Sequence, residues 1–401
     1  MKKRVLMFRG WKPGSWAWSL ACAFMLCLLA LCACSSPGQG SQQADSSSSS
    51  STAVFSSAND RASSQSQAQA SSSQSAASSA ASASSKPVAP LTYPTGWLAV
   101  DAGGIPAGEP VRILRLPDID VVAHRDGKVV GASDQERSSA QWPAIDEGQA
   151  LVEYGGSYAA VDPDSLLVNL PDVLPTACYD IVYSFAATSR CAGEDIPGAT
   201  GERLPGYVDG KQQSPYWADQ RFVVPCAYRT ACKAIQVESV LEVQGLRLLV
   251  FDAYRPMTAQ YYLSDAFQTA FASNPVMQGS LGAWSLSWYV APGASGHNFG
   301  TDLDVGVCDG EGNPLPMPSD FDAFDETGHL TDVPMNSGAI TPGAYRQAVS
   351  ENDACLALHQ AFVDAGFSEL ASEWWHFGDE ETEWAMQSLV GPGGLDFVAQ
   401  L

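Results

Sequence analysis

Hydrophobic and polar positions divide the chain into four stretches of different character. From Ser15 to Ala33 it carries no charge and is largely apolar, behind a basic start formed by Lys2, Lys3, Arg4, Arg9 and Lys12. Residues 35 to about 86 are almost wholly Ser, Ala and Gln, with Val54 and Phe55 as an isolated apolar pair. Such a stretch cannot bury a core and is expected to be a flexible tether. Between residues 92 and about 170, short alternating runs such as Val111-Arg112-Ile113-Leu114 and Ala150-Leu151-Val152-Glu153-Tyr154 are broken by Gly, Pro and Asp clusters, the pattern of a small all-β module. After Pro175 the period lengthens: apolar Ala227, Ala231, Ala234, Val237 and Leu241 predict a helix over 227–244, leading through Gly245 into a strand over 246–251. A second helix is expected from Pro256, where the missing N–H is harmless, and a third over 353–365, ended by Gly366. Interleaved helices and strands with long loops predict the α+β class for this last part.

The basic start and the apolar stretch behind it have the order of an export signal. Its end, Leu31-Cys32-Ala33-Cys34 followed by serines, resembles the lipobox of bacterial lipoproteins, which implies cleavage after Ala33 and a lipid on Cys34. The competing reading is an uncleaved anchor, because 19 residues from Ser15 to Ala33 are just enough to span a bilayer. Both readings place the remainder on the extracellular face of a bacterial membrane. Removing residues 1–33 takes five of the 21 Lys+Arg and none of the 44 Asp+Glu, so the formal charge moves from −23 to −28. So acidic a body repels nucleic acid phosphates, and no nucleic acid partner is expected. Of ten cysteines, Cys178, Cys191, Cys226, Cys232, Cys308 and Cys355 remain once Cys22, Cys27, Cys32 and the lipidated Cys34 are set aside. Their even number in an oxidising compartment favours disulfides, with Cys226–Cys232 and Cys308–Cys355 as the expected pairs, and no CxxC spacing suggests a cysteine-bound metal.

Two of the five histidines stand beside carboxylates. In Ser295-Gly296-His297-Asn298-Phe299-Gly300-Thr301-Asp302-Leu303-Asp304, a strand would turn Leu303, Val305 and Val307 to the core and Asp302 and Asp304 to the other face. The bland alternative is a solvated edge strand. In Glu373-Trp374-Trp375-His376 the spacing lets an imidazole bind a metal while the carboxylate three residues earlier reaches a water on it. The tryptophans by themselves are equally at home in a core. His124, His329 and His359 read as surface or packing residues.

Taken together, the two segments make residues from about 175 to 401 resemble the D-alanyl-D-alanine dipeptidases of the vancomycin-resistance type, a zinc D,D-peptidase family. The resemblance implies Zn2+ held by His297, Asp304 and His376, with Glu373 as catalytic base. Asp252-Ala253-Tyr254-Arg255-Pro256 is similar to the family's Asp-x-Tyr-Arg-Pro, which implies that Arg255 stabilises the transition state. Phe321-Asp322-Ala323-Phe324-Asp325-Glu326 matches a further family stretch, and Asp322, Ser295 and Tyr183 are implied as substrate contacts. Asp302 departs from the pattern, standing where the family usually has a small residue, and the stretch from Cys191 to Gln213 is longer than the family's. Tyr154-Gly155-Gly156-Ser157-Tyr158-Ala159-Ala160-Val161-Asp162 more faintly resembles bacterial SH3-like modules, which implies cell-wall binding; a structural spacer is the alternative.

The expected organisation is therefore a lipoprotein signal peptide over 1–33, a tether over 34–90, a small SH3-like β module over 91–172 and a zinc dipeptidase domain over 173–401. The expected activity is hydrolysis of the dipeptide D-alanyl-D-alanine. Two alternatives stay open: a D,D-carboxypeptidase trimming peptidoglycan stem peptides, and an inactive wall-binding lipoprotein.

Overall fold

The computed structural model describes residues 90–126, 128–130, 142–181, 207–208, 211–212, 223–273, 283–323, 325–397 and 399. The leader, Cys34, the tether, Tyr183 and Cys191 lie outside the described residues.

A six-stranded antiparallel sheet is built from β1 (Thr95–Leu98), β2 (Pro110–Arg115), β5 (Ala150–Tyr154), β6 (Ser157–Val161), β7 (Leu166–Asn169) and β11 (Pro225–Ala227), in the order β11-β7-β1-β2-β5-β6. Two small hairpins, β3 (Ala123–Arg125) with β4 (Lys128–Val130) and β9 (Tyr207–Val208) with β10 (Lys211–Gln212), stand apart from it. The Tyr154–Asp162 segment is a hairpin whose two-residue turn, Gly155-Gly156, takes φ of 57 and 82. Two consecutive positive φ values match the twist of the flanking strands, and glycine adopts them without strain. The edge strand β11 comes from beyond residue 172, and a single buried cluster runs from Leu98, Ile113 and Val152 through Val168 and Cys226 to Val250, Val305 and Phe377. The β module and the region after it thus share both a sheet and a core.

The second sheet has the order β14-β15-β13-β12-β8, from β8 (Cys178–Tyr179), β12 (Leu246–Asp252), β13 (Asp302–Asp309), β14 (Ser368–Leu370) and β15 (Glu373–Gly378). Its pairings are antiparallel except β12 with β8. β13 lies between β12 and β15, so the acidic strand is central and not a solvated edge. Helix α1 (Tyr228–Val243) and the helix α3 (Asp353–Asp364) pack on this sheet and on each other. α1 buries Ala231, Ala234, Val237 and Leu241 at the expected period, and Gly245 at φ 73 turns the chain into β12. α2 (Met257–Ser273) begins one residue after Pro256. The Asn352 side chain caps α3 by accepting the Cys355 N–H at 2.9 Å. α4 (Glu380–Val390) follows β15, capped by Asp379.

The expected disulfides are not made: no bridge joins any of the described cysteines. Cys308, near the end of β13, has Cys178 of β8 as its thiol neighbour, and Cys355 sits in the first turn of α3. Cys226 faces Cys232 only as an electrostatic neighbour.

Candidate metal centre and substrate pocket

The register of three strands assembles the centre. Asp304 pairs with Asp252 on β12 and with His376 on β15, so three polar residues stand side by side across the middle of the sheet. A bulge between Val250 and Asp252 brings Asp252 into that row. Alternation along β13 keeps Leu303, Val305 and Val307 fully buried on one face and leaves Asp302 and Asp304 on the other.

His297 arrives on a one-turn helix over Gly296–Phe299, closed by Gly300 at φ 71. Its conformation follows from Ser295 and Asn298: Ser295 N–H donates to Asn298 Oδ1 at 2.9 Å, and Asn298 N–H returns to Ser295 O at 2.9 Å. The turn is then stitched to the loop after β12, because Asn298 Nδ2 donates to Arg255 O at 2.6 Å and Arg255 N–H donates to His297 O at 2.9 Å. His297 Nδ1 bonds the Ala253 carbonyl at 2.8 Å. A carbonyl only accepts, so Nδ1 carries the proton, and Nε2, 3.4 Å from Asp304 Oδ2, is the ring nitrogen left to bind a cation.

His376 turns Nδ1 to Asp304 Oδ1 at 2.9 Å and Nε2 to Asp302 Oδ2 at 3.4 Å. One ligand atom each from His297, Asp304 and His376 lies within 4.8 Å of the others. Two imidazole nitrogens and a carboxylate oxygen, converging with one ring already oriented by a carbonyl, fit a borderline divalent cation such as zinc. Electrostatics agree with a mixed-charge cluster. Burial raises the Asp304 carboxyl, yet His297 and His376 outweigh it and hold it well below the usual carboxylate range. Burial lowers His376, yet Asp302 and Asp304 outweigh it and hold it well above the usual imidazole range.

Glu373 opens β15, is 5% exposed, and reaches to 3.8 Å from His376 Nδ1. Burial, reinforced by Asp304 and Asp322, pushes its carboxyl well above the ordinary range. Arg255 is held by Asp252, which accepts from Nε at 3.0 Å and Nη2 at 2.6 Å, and by Gln260 Oε1, which accepts from Nη1 at 2.7 Å. Its Nη2 lies 4.0 Å from Asp304 Oδ2. Asp322 has a left-handed backbone at φ 61, uncommon outside glycine and a form of strain that clusters at functional sites.

These groups meet in one cavity of about 390 Å³. Every expected site residue within the described part of the catalytic region lines it: Arg255, Ser295, His297, Asp304, Asp322, Glu373 and His376. Tyr183 lies outside the described residues, and His124, His329 and His359 do not line the cavity. His329 hydrogen-bonds the Tyr289 hydroxyl, and His359 pairs with Glu369 at 2.6 Å, both within the packed interior. Sequence reading did not assign roles to Asp252, Gln260 or the wall formed by Trp288, Tyr289 and Val290. Asp252 and Gln260 flank the arginine at spacings of three before and five after, a signal that was available. The wall lies on a short turn with no periodic pattern to reveal it.

Two relatives share sequence with this chain. It is 30% identical over 139 residues to the D-alanyl-D-alanine dipeptidase of Escherichia coli (strain K12), covering 35% of this chain and 58% of that protein. It is 24% identical over 157 residues to the D-alanyl-D-alanine dipeptidase of Synechocystis sp. (strain ATCC 27184 / PCC 6803 / Kazusa), covering 35% of this chain and 62% of that protein. The chain thus spans about three fifths of the length of these curated relatives. Residues 214–389 match the family model described as D-ala-D-ala dipeptidase, and His297, Asp304 and His376, which could hold a metal, lie inside that match with Glu373, Arg255 and Asp322.

Proposed function

We propose that this chain is a zinc-dependent D,D-dipeptidase acting on D-alanyl-D-alanine. The observation that carries the reading is the convergence of His297, Asp304 and His376 with Glu373 beside them and Asp322 in the same cavity. His297, Asp304 and His376 would hold the metal. A zinc ion held there supplies a Lewis acid that polarises the scissile carbonyl and lowers the pKa of water.

The protein's own groups supply the rest. Glu373 takes the proton of the attacking water and returns it to the leaving amine, a role suited to its place in the cavity wall beside His376. Arg255, fixed by Asp252 and Gln260, faces the cavity and stabilises negative charge growing on the carbonyl oxygen; loss of such a donor typically costs roughly 3 kcal/mol in the barrier. Asp322 is the anion that pairs with a free amino group of the substrate, with Ser295 and Tyr183 as neighbouring contacts. Capture of that amino group selects a dipeptide over a longer chain.

The basic, apolar and lipobox-like start supports an exported protein lipidated on Cys34 and held at the outer face of the membrane, with the β module as a spacer or a wall-binding element. That location supports one second reading, trimming of the terminal D-Ala from peptidoglycan stems. Zinc-loaded full-length protein should be assayed against D-Ala-D-Ala, L,L-dipeptides and a pentapeptide stem. The dipeptidase reading expects D-Ala-D-Ala to be hydrolysed best; a preference for the pentapeptide by tenfold or more, roughly 1.4 kcal/mol, would replace it with the carboxypeptidase.

A further inference from the structure

Asp302 is the carboxylate that the reaction above does not use. It is 6% exposed, and the ion pair it makes among the described residues is with His376 Nε2, 3.4 Å from Oδ2. Burying a carboxylate is unfavourable unless a partner compensates it, so its position calls for a reason. The slot that holds it is built by two glycines. A Cβ on Gly296 would lie 1.9 Å from Asp302 Oδ1, and one on Gly378 would lie 3.1 Å from the same oxygen. Gly296 belongs to the His297 turn, and Gly378 is the residue paired with Asp302 across β13 and β15. Both elements that carry the metal-binding histidines therefore leave their side-chain space to this one carboxylate.

The geometry also says which edge of the ring it meets. His376 shows Nδ1 to Asp304 and Nε2 to Asp302. Asp302 is thus on the edge of the imidazole turned away from the cluster, and it is not among the three residues whose ligand atoms converge. His297 has a matching device, the Ala253 carbonyl on Nδ1.

We propose that Asp302 is a positioning residue for His376: it accepts the Nε2–H, fixes the tautomer with its lone pair on Nδ1, and raises the basicity of the ring toward a divalent cation. The proposal rests on the metal-site reading of His297, Asp304 and His376. A carboxylate in this place tightens a metal site without entering it, and loss of such a partner typically weakens metal binding by about 10- to 100-fold.

The test uses the full-length protein, with zinc as the probe, in the wild type, Asp302→Ala, Asp302→Asn and His297→Ala. Zinc dissociation constants come from competition with a chromogenic chelator, and the downfield imidazole N–H protons of the zinc-loaded protein come from NMR. Asp302→Ala should still saturate with one zinc but bind it about 10- to 100-fold more weakly, and one imidazole proton should move upfield or exchange away. Asp302→Asn, nearly the same in shape, should fall between, and it decides the question if the alanine variant does not fold. Affinity within about threefold of wild type with unmoved imidazole protons would overturn the proposal and leave the metal site intact. Complete loss of zinc in both Asp302 variants, as in His297→Ala, would overturn it by making Asp302 a ligand. A wild type that binds no zinc would remove the metal-site reading itself, and the proposal with it.

Discussion

Asp252→Ala tests how the site holds its arginine. Asp252 is fully buried; its Oδ2 accepts from Arg255 Nε and Nη2 at 3.0 and 2.6 Å, and its Oδ1 accepts the Ala253 N–H at 2.9 Å. Removing one partner of a buried pair leaves an uncompensated charge and costs about 3–5 kcal/mol. Here Gln260 remains on Nη1, and Asp304 Oδ2 stands 4.0 Å away, so the guanidinium can swing partly toward the metal cluster. That partial rescue puts the expected loss near the lower end, about 3 kcal/mol, or about 5–10 °C in Tm. Both partners are buried, and desolvating the two charges offsets much of their attraction, so the pair as a whole adds little net stability. The double variant Asp252→Ala/Arg255→Met should therefore recover most of the loss, while still lacking activity. Urea unfolding of the four proteins at neutral pH measures the cycle. A single-variant loss below about 1 kcal/mol, or a double variant no more stable than Asp252→Ala, would refute this account of the pair, which expects strong coupling.

Three other outcomes follow from local geometry. Asp379→Ala removes a buried carboxylate that caps α4 and accepts from Lys233 Nζ at 2.6 Å and Thr230 Oγ1 at 3.0 Å; unfolding should become easier by about 2–3 kcal/mol, read by denaturant titration. Burial holds His329 down at about 4, below the usual imidazole value, so its contribution is present above pH 6.5 and lost as pH falls from there toward 4, by at most about 3 kcal/mol; His329→Gln should flatten the stability–pH curve in that window. Cys34→Ser should leave an exported but unlipidated protein, and mass spectrometry that finds residues 1–33 still attached to mature wild-type protein would contradict the lipoprotein reading.

Local periodicity carried much of the fold into view. The apolar spacing over 227–244 matches α1, and Gly366 ends α3 as expected because such a stop is a chemical feature of a single residue. The acidic face of β13 was legible for a similar reason: strand alternation puts Asp302 and Asp304 on one face whatever the tertiary context. Long-range pairing was not. Nothing in Pro225-Cys226-Ala227 announces an edge strand for a sheet formed mostly before residue 172, and nothing in the spacing of Cys308 points to Cys178 two strands away. The slot for Asp302 depends on Gly296 and Gly378, far apart in sequence, meeting at one oxygen.

The central claim is that His297, Asp304 and His376 hold the metal while Glu373 moves the proton, and Glu373→Ala separates the two in one substitution. Zinc content and D-Ala-D-Ala turnover should be measured on the same preparations of variant and wild type. The account predicts one zinc per chain in both, with turnover in the variant lower by about 10²- to 10⁴-fold, at or above the upper end of that range. A variant that keeps more than roughly a tenth of wild-type turnover, or one that loses its zinc, would contradict it.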